Sequence, residues 1–357
     1  MKRLPLAALL AAFFVFLALS VSIRQAVLML VGVGMGAALA AARFGFTTGW
    51  RQLIEQRNPQ GVAGQVLLLA LASLSALPLL GQFSELHAAL GPPSVSLLVG
   101  AFVFGLTMQI ADGCGSGSLY KAGLGVPLNM GILPLFALGS FLGSVHLDSW
   151  LSLGQTAPVS FSAEYGTGGA LALTLALLAA VLVAVRLWVG AGQNWLDKRW
   201  IWGAVALAVL ATLNLLLAGQ PWGVVYGFGL WAAKVSVAMG AFDPTGNAFW
   251  GQAGNAQRLT QTVFMDVTTI TNIGILGGAL WVSAKAPAGS KSLTTQQWVI
   301  GLVAGFIMGY SSRLAFGCNI GAMLSGISTG SLHGWLWVPL AFAGTLIGVR
   351  VRRHYQF

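Results

Sequence analysis

Long apolar runs separated by short polar breaks define this chain. Beyond an N-terminal run, apolar stretches cover 21–42, 62–81, 94–111, 128–145, 168–190, 200–218, 222–242, 261–284, 298–315 and 332–349. Each approaches the length of about 20 residues that crosses a bilayer as a helix. Met1–Ser20 carries Lys2 and Arg3 ahead of its apolar run. It reads as a first helix rather than a removable leader, because Val21–Ala42 continues apolar with only Arg24 between. The pattern predicts an all-α integral membrane protein: one polytopic domain over 1–357, with about ten transmembrane segments.

Composition agrees. Of 357 residues, 57% are hydrophobic and 7% charged, against roughly 25% charged in soluble domains. Such a surface is solvated by lipid, so the bilayer is an expected partner. The formal charge of +10 reads mostly as the cationic bias of cytoplasmic loops, with attraction of an anionic substrate as the remainder. No basic run is interleaved with aromatics, which argues against nucleic-acid binding. A cytoplasmic N-terminus puts Arg51, Arg57, Arg186, Lys198 and Arg199 inside, and Glu85, His87, Asp148 and Glu164 outside. Counting onward puts Lys285, Lys291, Arg350, Arg352 and Arg353 outside, against the rule. Either one segment does not cross fully or the count is off by one. The 13 Trp read mostly as interfacial anchors.

A repeat changes the picture. Gly105, Gly113, Cys114 and Gly117 recur at a constant offset of 204 residues as Gly309, Gly317, Cys318 and Gly321. A fainter pair sets Gly45-Phe46-Thr47 against Gly246-Asn247-Ala248. The reading is two pseudo-symmetric halves, 24–150 and 222–350, joined by connecting helices over 168–218. Gly-rich breaks at membrane depth are tolerated only where protein or water satisfies their backbone. They predict re-entrant loops or broken helices at the centre, as transporters use. A half-helix start offers free N–H groups and a positive dipole end to an anion. Gly113, Gly115, Gly117, Gly317 and Gly321 let the backbone approach closely. Cys114 and Cys318 add a polarizable sulfur and a weak S–H donor. A lone membrane Cys is more often a small core hydrophobe; two in matched contexts favour a path.

The segment from Gly309 through Cys318-Asn319-Ile320-Gly321 to Trp337 resembles the YeeE/YedE family of sulfur-transport membrane proteins, as do Gly219-Gln-Pro-Trp-Gly223 and Asp112-Gly-Cys114-Gly-Ser-Gly-Ser118. The resemblance runs from about Val27 to Arg350. It implies uptake of thiosulfate or a related anion across the bacterial inner membrane through an hourglass. Its cysteines, here Cys114 and Cys318, would pass the anion along by S–H hydrogen bonds. The family often has a further Cys in a Gly-Phe-Cys loop. Here that position is Thr47, which keeps a hydroxyl donor. Some branches are associated with selenium compounds.

Several neighbours are candidates for the same path. Lys121 either draws an anion or is an inside-loop charge. Arg313 is an ionisable residue at membrane depth, hence a functional candidate, or it snorkels to the interface. Asn319 offers an amide beside Cys318, and Asn247 another in the opposite loop. Asp112 and Asp266 read as structural, Asp266 pairing with Arg313 or Lys234. No Cys/His cluster suggests a metal, and no cofactor is expected. The chain lacks a G-x-x-x-x-G-K loop, so an internal ATPase is not expected. Facilitated diffusion, proton coupling or a cytoplasmic sulfur-accepting protein fit equally. The alternative class is a membrane enzyme or carrier bearing a Cys persulfide, which needs an activated thiolate.

Overall fold

A computed structural model describes residues 3–284 and 292–357; Lys285 and Lys291 lie outside them. In chain order the helices are α1 (Arg3–Ser20), α2 (Ile23–Ala42), α3 (Phe46–Gln56), α4 (Gln60–Gln82), α5 (Val95–Ile110), α6 (Gly115–Gly123), α7 (Pro127–Val145), α8 (Leu147–Leu151), α9 (Phe161–Val189), α10 (Lys198–Ala218), α11 (Val225–Ala238), α12 (Ala253–Thr260), α13 (Val267–Ser283), α14 (Thr295–Leu314), α15 (Gly326–Ser328) and α16 (Leu332–His354). A π-helical segment, Asn319–Ser325, leads into α15. Nine helical stretches among the described residues are long and apolar enough to cross a membrane. At 17 residues, α13 adds about 25 Å of apolar helix at 1.5 Å per residue.

The boundaries follow local chemistry. Ser22, Ser94 and Asp266 cap α2, α5 and α13 by accepting from backbone N–H groups, and Thr294 and Gln297 form a reciprocal capping box on α14. Pro127 opens α7, where its missing N–H costs nothing.

Small residues set the packing. A Cβ on Gly105 would lie 1.9 Å from the Ala341 carbonyl oxygen, and one on Gly309 2.1 Å from that of Phe136. These contacts lock α5 onto α16 and α14 onto α7. Gly36 and Gly278 bring α2 and α13 together in the same way. In lipid, where apolar surface gives no drive toward another helix, such close backbone approach supplies the van der Waals attraction. Helix α1 buries only Leu6 and Leu17 and turns Leu4, Leu9 and Leu19 outward. Trp222, Trp250 and Trp337 are fully buried, so these three are core residues and not interfacial anchors.

Contacts settle which ends of the helices lie together. Asp112, between α5 and α6, pairs with Arg51, Lys121 and Arg352, and Glu55 pairs with Arg353. Arg57 stacks on Trp188, near the end of α9. The C-terminal arginines therefore share one cationic end with Arg51 and Arg57, which corrects the simple count. The reason is α11. Arg24 donates to the Leu217 and Ala218 carbonyls at the end of α10, and Gln25 donates to the Met265 carbonyl just before α13. The chain thus leaves α10 and enters α13 at the same, opposite end, so 222–242 does not cross fully. Its 14 residues span only about 21 Å.

Candidate functional site

The two cysteines stand at equivalent points of two helix breaks. Helix α5 is capped at its C-terminus by Ala111, and Asp112 takes a left-handed φ of 54° before Gly113. Helix α14 is capped by Ala315, and Phe316 takes a φ of 58° before Gly317. Cys114 is then the N-cap of α6, and Cys318 the N-cap of the π-helical segment. Each break closes in the same way: Ser118 N–H donates to the Cys114 carbonyl and Ala322 N–H to that of Cys318, both at 2.8 Å.

The two breaks meet. A Cβ on Gly115 would lie 3.4 Å from Cys318 Sγ and 3.3 Å from the ring tip of Phe136, midway along α7. Cys114 Sγ lies 3.4 Å from Ser116 Oγ, and Ile320 N–H donates to Cys318 Sγ at 3.4 Å. Both thiols are free and buried. Two helix starts with their N–H groups and positive dipole ends therefore face one small region near the middle of the bundle.

The glycines divide by what surrounds them. Gly113 and Gly317 are turn residues: a Cβ would lie 2.8 Å from Ser118 N and 2.5 Å from Ala322 N. Gly117 and Gly321 face room. A Cβ on Gly117 would meet only Cys114 Sγ, at 3.5 Å, and one on Gly321 only the Phe316 carbonyl oxygen, at 3.8 Å. Each break thus carries a matched glycine that faces open space, and at Gly117 that space lies beside the Cys114 thiol.

Polar groups without protein partners gather around these breaks. Asn319 is fully buried, and neither its amide nitrogen nor its amide oxygen has a partner. Thr47 Oγ1, Gln109 Oε1 and Asn129 Oδ1 are likewise buried and unpartnered. Leaving such groups unmet costs about 1–3 kcal/mol each, so water or a polar ligand is the natural partner. Thr47, near the start of α3, lies toward the cationic end: its carbonyl accepts from Gln109, and neighbouring Gly45 approaches the Tyr120 hydroxyl.

Other expected site residues lie elsewhere. Lys121 is bound to Asp112 at 2.7 Å. Asn247 holds its own loop together, accepting from Phe249 and Trp250 N–H and donating to the Val145 carbonyl. Arg313 lies toward the opposite end, its guanidinium 4.6 Å from the Phe249 ring centroid and 5.8 Å from that of Tyr226, with Nε unpartnered. Asp266 does not pair with it but caps α13 through Thr269 N–H, and Lys234 donates to the Leu259 and Gln261 carbonyls.

Sequence reasoning passed over Ser116, Gln109 and Asn129. A signal existed: Gln109 matches Arg313, and Asn129 matches His333, at the same offset of 204 residues.

The thiosulfate transporter TsuA of Escherichia coli (strain K12) is 23% identical over 358 residues, covering 91% of this chain and 95% of that protein. The thiosulfate transporter TsuA of Spirochaeta thermophila is 28% identical over 329 residues, covering 86% and 93%. The probable transporter YedE of Escherichia coli (strain K12) is 28% identical over 163 residues, 44% of this chain and 39% of its own length. The family described as sulphur transport matches residues 41–347, so this multi-pass membrane protein belongs to the sulphur-transport family.

Proposed function

We propose that the chain carries a small sulfur-containing anion, thiosulfate before others, across the bacterial inner membrane, with Cys114 and Cys318 as stations at the centre. The observation that supports this most is the meeting of two cysteine-capped helix starts beside matched open glycines. Helix-start N–H groups and thiol S–H donors suit an oxyanion bearing a terminal sulfur. Neutral donors hold an anion without the tight grip that would stop it leaving. Asn319 supplies a further amide at the same place, and Thr47 a hydroxyl on the way to the cationic end. That end faces the cytoplasm by the positive-inside rule, where a sulfur-accepting protein would take the product. The relatives are transporters by name, which disfavours the persulfide-enzyme alternative.

The packing pattern supports a revised repeat. The α5–α16 contact is mirrored by α14–α7, α6–α13 by α15–α4, and α2–α13 by α10–α4. This pairs α10 with α2 and α11 with α3. On that reading 198–218 belongs to the second repeat, and the two halves insert from opposite ends.

The test is uptake of labelled thiosulfate by bacterial cells lacking their own importers, comparing the parent with Cys114→Ala and Cys318→Ala at equal membrane expression. Uptake by the parent and loss in either variant supports the stations. No uptake by a well-expressed parent overturns thiosulfate as substrate and moves selenium compounds forward.

A further inference from the structure

At the cationic end one carboxylate faces three cations. Asp112 Oδ1 accepts from Arg51 Nη1 at 2.9 Å, and Oδ2 accepts from Lys121 Nζ at 2.7 Å; Arg352 Nη1, which donates to the Gln109 carbonyl, completes the cluster as an ion-pair neighbour 3.2 Å from Oδ1. The cations come from α3, α16 and the end of α6, and their side chains are only 15–17% exposed. The cluster retains two surplus positive charges. Asp112, Lys121 and Arg352 line a cavity of about 420 Å³ together with Asn129, Trp298 and Phe357, and Arg51 meets the site through Asp112. That volume falls within the range of small-molecule sites, about 300–1,000 Å³. Asp112 is also a member of the two-residue turn that precedes Cys114, and its φ of 54° is in the left-handed region. The carboxylate and the central thiol are therefore mounted on the same turn.

We propose that Lys121 and Arg352, with Arg51 adding its charge from beside Asp112, form an oxyanion-binding site at the cationic mouth, and that the Asp112 carboxylate is a tethered competitor occupying it between arrivals. An anion reaching the cavity takes over the hydrogen bonds that the carboxylate relinquishes. Such an exchange leaves no cation bare, so it avoids the cost of uncovering a partly buried charge. The carboxylate then returns and expels the anion, which gives a cationic site the weak net affinity that passage requires. The direction of travel rests on the function proposed above; the anion site does not.

The test uses full-length protein purified in detergent, titrated with sodium thiosulfate and, separately, sodium sulfate at constant ionic strength, with binding read calorimetrically. Asp112→Asn is expected to bind both anions at least about tenfold more tightly than the parent (about 1.4 kcal/mol) and to release thiosulfate more slowly in proteoliposomes. Adding Arg352→Gln to Asp112→Asn should abolish the gain. Because Asp112→Asn leaves three cations unmatched, a second variant guards against misfolding. Asp112→Asn with Lys121→Gln restores the parental net charge, and should still bind more tightly than the parent because the competitor is gone. Affinity indifferent to Asp112 in both backgrounds, or a gain that survives loss of Arg352, overturns the proposal. Tighter anion binding without thiosulfate transport by any form would instead refute the transport reading while leaving the anion site standing.

Discussion

Replacing Gly117 or Gly321 by Ala separates a transport path from an ordinary core. A Cβ at Gly117 meets only Cys114 Sγ, at 3.5 Å, and one at Gly321 only a carbonyl oxygen, at 3.8 Å; both are ordinary contacts. Both positions are helical, and Gly→Ala at a compatible helical site stabilises by about 0.4–1 kcal/mol through the unfolded chain. The Gly117 methyl nevertheless projects into the space beside the Cys114 thiol, and the Gly321 methyl into open space at the matching turn of the other break. Squeezing a substrate past added volume in a packed site costs about 1–3 kcal/mol, which slows passage by about 5- to 150-fold. The expected result is a variant as stable as the parent or more so, with uptake of labelled thiosulfate reduced by that factor. Gly317→Ala is the control. Its φ of 149° and a Cβ 2.5 Å from Ala322 N should destabilise it by about 1–3 kcal/mol. Thermal unfolding of the detergent-solubilised protein, read beside proteoliposome uptake, resolves the two effects. Full uptake by a stabilised Gly117→Ala or Gly321→Ala would refute the reasoning, because the space these glycines face would then lie off the path.

Asn319→Ala should leave stability unchanged or raised, since it removes two buried atoms that have no protein partner, while lowering uptake; a loss of about 1–3 kcal/mol on unfolding would instead mean that the amide is a structural bond. Thiosulfate should slow alkylation of both Cys114 and Cys318 by a small maleimide, followed by mass spectrometry; protection of neither would separate the thiols from the substrate. Gly105→Val should fail to accumulate in the membrane, because even its Cβ would lie 1.9 Å from the Ala341 carbonyl oxygen; normal expression on immunoblot would contradict the α5–α16 crossing. Ser325→Ala should cost about 1 kcal/mol of thermal stability by freeing the Trp222 carbonyl, which Ser325 Oγ now meets at 2.6 Å.

The apolar runs and the matched Gly-Cys-x-x-Gly motifs carried the helical class, the membrane setting and the two central cysteines. These are local properties. Span length is set by the thickness of the hydrocarbon core, and a helix break with a cysteine cap is encoded within a dozen residues. The sulphur-transport family was legible for the same reason, since its motif around Cys318 is contiguous. Other features depended on which helices touch. Arg313, a charge at membrane depth, and Lys121, an anion attractor or an inside-loop charge, were both open between a place on the path and a structural role. Only packing showed that Lys121 belongs to a cluster with Arg51 and Arg352, separated from it by 70 and 231 positions, whereas Arg313 lies against aromatic rings. Asn247 and Asn319 were equivalent as amides in loops, but the first is bonded to its own turn and the second is left unpartnered. The sides of the C-terminal half turned on α11, whose composition matches that of a spanning helix but whose flanking helices α10 and α13 end and begin at one end of the bundle. A chain records the free energy of placing each segment in lipid. Which buried polar groups find one another is decided by helix–helix contact between distant segments, and that emerges only when the bundle closes.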